Sequence, residues 1–67
     1  MPSIRPIVHR VYPDAVPVVT FADKASRDVY NLWDERDQRY LSASWYWTIE
    51  AAYKAVYEAL PSHLRWA

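Results

Sequence analysis

His9 and His63 are the only imidazoles in this 67-residue chain, and histidine is the side chain whose ordinary pKa lies nearest neutrality. Brought together, with Arg10, Arg65 or Lys54 beside them, they would supply the acid, the base and the charge stabilisation that RNA cleavage needs. No catalytic motif accompanies them: H-E-x-x-H, G-x-S-x-G and the EF-hand loop are all absent. The chain has no cysteine, which removes disulfides and thiolate metal sites, so no metal is expected. It has no glycine either. Gly-rich phosphate loops need backbone that only glycine supplies, so no nucleotide cofactor is expected.

The richer chemistry is recognition. Four Trp and six Tyr occur in the chain, and these are the residue types enriched at interface hot spots. At 100° per residue, Tyr46, Tyr53 and Tyr57 lie on a strip at the boundary between the core and the solvent face of a C-terminal helix. Trp47 projects among Glu50, Lys54 and Glu58 on the otherwise polar face of that helix. Trp66, one residue from the C-terminal Ala67, is expected to dock on this chain or another, because a large apolar ring is seldom left to a fraying end. The partner-binding set read from the sequence is therefore Tyr46, Trp47, Glu50, Tyr53, Lys54, Tyr57, Glu58 and Trp66. The alternative is structural: the tyrosines cover the sheet with their hydroxyls in water, and Trp47 packs on Tyr40 or the N-terminal arm.

A chain of this length builds one domain, here 1–67. Residues 1–21 read as extended, because Pro2, Pro6, Pro13 and Pro17 break helices and the segment is rich in Val and Ile. A turn at Pro13-Asp14-Ala15 would join a strand from Ile7 to Tyr12 to one from Val16 to Phe21. Pro17 cannot donate to a ladder, which places its strand at an edge or its partner elsewhere. A proline-rich arm wrapping the helices is the alternative. Helix one is expected over 22–36, with Ala22, Ala25, Val29, Leu32 and Trp33 on one face and the acid-first pairs Asp23/Arg27 and Glu35/Arg39 on the other. Helix two is expected over 44–60, capped by Ser42 or Ser44, with Trp45, Ile49, Ala52, Val56 and Leu60 as its buried stripe and Pro61 as its stop. Residues 61–67 form a tail. The fold class is α+β: an N-terminal β-hairpin or extended arm packed on two antiparallel α-helices.

Eight basic and eight acidic residues cancel, so the field that draws proteins to nucleic acid is missing, and helix two carries a single Lys against two Glu. A helix-pair nucleic-acid-binding protein is a disfavoured alternative. No segment approaches the roughly 20 apolar residues that span a bilayer, and Met1 to Pro6 contain no signal-peptide apolar region. A cytoplasmic protein with no membrane contact is expected. The segment Phe21-Ala22-Asp23-Lys24-Ala25-Ser26-Arg27-Asp28-Val29-Tyr30-Asn31 resembles the strand-to-helix opening of ribonuclease toxins of the RelE superfamily. That resemblance implies a toxin-fold fragment, without catalytic residues, since the sheet that carries them in the family has no counterpart here. The preferred expectation is a non-enzymatic protein-binding module. Its size and aromatic content resemble those of small phage or mobile-element inhibitors that occlude a host or defence protein, with a homodimer among the expected assemblies.

Overall fold

The computed structural model describes residues 3–65. It is a mixed α and β domain in which helix α1 (Ile4–Val11) precedes strands β1 (Ala15–Ala22), β2 (Arg27–Asp34) and β3 (Arg39–Tyr40), followed by helix α2 (Ile49–Ala59) and a last turn of helix, α3 (Ser62–Arg65). The sheet is antiparallel in the order β1-β2-β3. The domain is only 15 Å thick between its outermost Cα positions, which accommodates one helix layer on one sheet and no third layer.

The coarse expectation of a hairpin with two helices is met, but different residues build it. Residues 4–11 are helical where a strand was expected. Ile4, Ile7, Val8 and Val11 recur at i, i+3, i+4 and i+7, the spacing of one helix face, and Ile7 and Val8 are buried. Pro6 falls in the first turn, where its missing N–H has no intrahelical acceptor to lose. The expected turn at Pro13 and Asp14 is present, and Ala15 donates back to the Tyr12 carbonyl at 3.1 Å.

Helix one over 22–36 is replaced by a turn and the central strand. β1 and β2 pair through eight residues from Ala15↔Asp34 to Ala22↔Arg27. A helix would put Val29, Leu32 and Trp33 on one face. The strand sends Val29 and Trp33 to one side and Leu32 to the other, because side chains alternate at period two. The acid-first pairs flank turns rather than helical ridges. The resemblance of 21–31 to a strand-to-helix opening has no counterpart in the structure, since the segment runs from strand through turn to strand.

Both turns bend without glycine. Ser26 and Gln38 take φ of 52° and 54°, the left-handed region that costs an ordinary residue about 1–2 kcal/mol. Local bonds offset part of this: Ser26 N–H donates to the Asp23 carbonyl at 3.2 Å, and the Gln38 side-chain amide donates to the Glu35 carbonyl at 2.6 Å.

Helix two is shorter than expected at its start. It is capped by Thr48, whose hydroxyl accepts from the Ala51 N–H at 3.0 Å, so Ser42 and Ser44 lie outside it. Trp45 is therefore not part of the helical stripe, whereas Ile49, Ala52 and Val56 are, and Leu60 is buried as the residue that caps the helix end. The core sits between α1, α2 and the helix-facing side of β2: Val8, Leu32, Ala52, Tyr53 and Val56 form its buried centre, with Tyr30, Tyr46 and Tyr57 packed around it. No helix among the described residues is long and apolar enough to cross a membrane.

Candidate functional site

Paired residues in an antiparallel ladder share a face. The register therefore puts Ala15, Pro17, Val19, Phe21, Asp28, Tyr30, Leu32 and Asp34 on the helix side, and Val16, Val18, Thr20, Ala22, Arg27, Val29, Asn31 and Trp33 on the opposite side. Trp33 pairs with Tyr40, which extends that second face onto β3. Beyond β3 the chain crosses beside β2 as a strap, residues 41–47, whose only ladder contact is an isolated antiparallel bridge between Tyr30 and Tyr46. Tyr46 shares the face of Tyr30, so its neighbours Trp45 and Trp47 fall on the other.

No helix among the described residues covers this second face, and its aromatic rings line up across the strands. Trp33 and Tyr40 meet edge-on at 4.8 Å between ring centroids, and Tyr40 and Trp45 at 5.1 Å, both within the range of favourable T-shaped pairs. Tyr40 remains 47% exposed. Trp47 is 52% exposed, and the Arg27 guanidinium lies 4.5 Å from its ring centroid, a cation–π contact. Beneath the strap, Asn31 is buried with its capacity met: its amide donates to the Ser42 carbonyl at 3.0 Å and its oxygen accepts from the Leu32 N–H at 2.8 Å. This side chain fixes where the strap crosses. A depression of about 260 Å³ opens beside Trp47, lined also by Tyr30, Thr48, Ile49 and Glu50. It is smaller than the roughly 300–1,000 Å³ of small-molecule sites, a size for a single inserted side chain.

The residues chosen from the sequence are divided between the two sides. Tyr53 was expected at the core boundary but is buried: its hydroxyl lies 2.7 Å from His9 Nε2, and Arg5 stands over its ring at 4.7 Å. Tyr46 and Tyr57 are half-buried against the core, and the Ser42 hydroxyl donates to that of Tyr46 at 3.3 Å. Glu50 is exposed and paired with Arg5. Lys54 and Glu58 are exposed on α2. Trp47 alone of the set belongs to the open face, where it meets Arg27 rather than Tyr40 or the N-terminal segment. Trp66 lies outside the described residues. Sequence reasoning missed Arg27, Trp33, Tyr40 and Trp45. The alternation Arg27, Val29, Asn31, Trp33 would have exposed the first two had the segment been read at period two.

His9 is held to the Tyr53 hydroxyl, while His63 is exposed on α3. Among the described residues no group of three or more His, Asp and Glu is placed to hold a metal ion.

The fold and site together define a two-layer α+β domain that presents an uncovered aromatic sheet face. Comparison of the chain with protein-family models, with curated proteins and with solved structures finds no match.

Proposed function

We propose that the protein is a non-enzymatic binding module whose contact surface is the helix-free sheet face, and that its partner is a protein surface offering an apolar anchor beside a carboxylate. The observation that carries this reading is the row Trp33, Tyr40, Trp45, continued by Trp47 with Arg27 stacked upon it. Rings already packed edge to edge lose little conformational freedom on binding, which is what makes aromatic anchors effective. The depression between Trp47 and the start of α2 borders this face and suits the anchor, and Arg27 suits the carboxylate, since its guanidinium lies over the Trp47 ring. Occlusion of a partner's site is the mode of action such a surface would have, as in a small inhibitor. The helix-side tyrosines are assigned to the core instead.

The test begins with capture of a partner from lysate, followed by titration of the purified pair by calorimetry. Tyr40→Ala and Trp47→Ala are each expected to weaken binding by at least about tenfold, the usual hot-spot threshold, with far-UV circular dichroism unchanged. Lys54→Ala and Glu58→Ala are expected to bind normally. A partner indifferent to Tyr40 and Trp47 but lost with Lys54 or Glu58 would overturn the proposal and return the site to the outer face of α2.

A further inference from the structure

We infer that two copies of this chain join through the free edge of β1, in an antiparallel register centred on Thr20. The inference is independent of the aromatic face and rests on the backbone of the edge strand. Among the described residues β1 pairs only with β2, so half of its N–H and C=O groups point outward. Which half follows from the other side of β2. Leu41 donates to the Leu32 carbonyl at 2.9 Å, and Tyr30 and Tyr46 exchange bonds of 2.6 and 2.8 Å. Tyr30 and Leu32 therefore turn their polar groups away from β1, and their partners Val19 and Pro17 turn theirs toward the open edge, as do Ala15 and Phe21 by alternation.

Of these four, Pro17 has no N–H and Ala15 donates its own to Tyr12. The donors left for a second chain are Val19 and Phe21. A register centred on Thr20 sets Val19 opposite Phe21 of the second copy, and Phe21 opposite Val19. All four outward N–H groups then meet carbonyls in reciprocal pairs. Centring on Val19 would press each Phe21 carbonyl against a proline ring, and centring on Val18 would oppose Val19 to Pro17. Pro17 thus acts as a register key.

The side chains agree with the backbone. Val19 and Phe21 project on the helix side yet are each 57% exposed, so no helix overhangs the edge there. Antiparallel pairing places the two-fold axis normal to the sheet, and the four side chains form one apolar cluster. β1 carries no charged residue from Ala15 to Ala22, so nothing in the paired segment repels its copy. At the ends, Lys24 of one copy is brought toward Asp14 of the other. The product is a six-stranded sheet with both helix layers on one side and both aromatic rows on the other.

Because the chain has no cysteine, a single introduced thiol reads the register. Thr20→Cys lies on the axis in a non-hydrogen-bonded pair about 4.5 Å from its copy, within disulfide range. The expected result is oxidative cross-linking at least about tenfold faster than for Val18→Cys, which faces Ala22 in this register. In a sedimentation series the wild-type chain is expected to dimerise with rising concentration, and Val19→Lys and Phe21→Lys to weaken the dimer at least about tenfold while leaving the thermal midpoint in place at dilutions where the wild-type chain is monomeric. A wild-type chain monomeric at every concentration would overturn the inference. So would Thr20→Cys cross-linking no faster than Val18→Cys, or a dimer that survives Val19→Lys and is lost with Tyr40→Ala.

Discussion

On the helix side of the sheet, Leu32 is fully buried among Val8, Ala52, Tyr53 and Val56. On the other side its sequence neighbour Trp33 lies in a row of rings of which Tyr40 and Trp47 are about half exposed. Both sides are apolar and both carry rings, but what lies above them differs. On the covered side Tyr53 is buried with the aliphatic groups beneath the helices, while on the open side Trp33, Tyr40 and Trp45 shield one another by edge-on packing. Hydrophobic content alone therefore does not mark a core; what lies above it does.

Substitutions on the two sides should separate stability from binding. The largest effect is expected from Leu32→Ala, which removes a side chain from a site with no exposure. A loss of about 2–5 kcal/mol would be a large share, a fifth at the least, of the roughly 3–10 kcal/mol that holds a domain of this size. A urea melt checks it, and a loss under 1 kcal/mol would show that the helix side is not the core. Trp47→Ala on the open side should leave the melt within about 1 kcal/mol, as for exposed positions, while weakening partner binding by more than about 1 kcal/mol. Collapse of the fold with this variant would erase the distinction between the sides. Tyr53→Phe tests the part-buried polar contact between α2 and α1. Loss of its bond to His9 should cost about 0.5–1.5 kcal/mol and leave partner binding unchanged. Smallest of all, Ser26→Gly should raise stability by up to about 1 kcal/mol, because relief of the left-handed backbone outweighs glycine's greater freedom when unfolded. An unchanged or lower melt would mean that the Ser26 hydroxyl contact to Asp23 matters more than the strain.

The same comparison explains what was legible in the sequence. The strand from Val16 to Phe21, the Pro13 turn and the stripe Ile49, Ala52, Val56, Leu60 could be read because one local rule favours each, and the edge position was one of the two that Pro17 allows. Residues 4–11 and 27–34 each obeyed two rules at once. In the first, Pro6 and a run of β-branched residues argued for strand while Ile4, Ile7, Val8 and Val11 argued for helix, and packing against α2 decided it. In the second, Asp23/Arg27 and Glu35/Arg39 suggested helical ion pairs, whereas β2, as the central strand, needs apolar groups on both faces, and that looks aperiodic. The candidate site inherited these errors. Trp47 was singled out on the polar face of a helix that in fact begins after it, at Ile49, so its place on the open face was not legible. Alignment of Trp33, Tyr40 and Trp45 was not either, because it is made by strand pairing between segments that no spacing along the chain connects.

The strap is held against β2 by three backbone bonds, from Leu41 N–H to the Leu32 carbonyl and the reciprocal pair between Tyr30 and Tyr46, whereas β1 is held by an eight-residue ladder. Local opening is easiest where the fewest backbone bonds must break, so the strap is expected to open before the hairpin. Trp45 and Trp47 ride on the strap, and Trp33 on the hairpin. The half of the row on the hairpin is therefore the more firmly held. Amide protons report this order: that of Tyr46 should exchange with solvent well before that of Asn31 in the ladder.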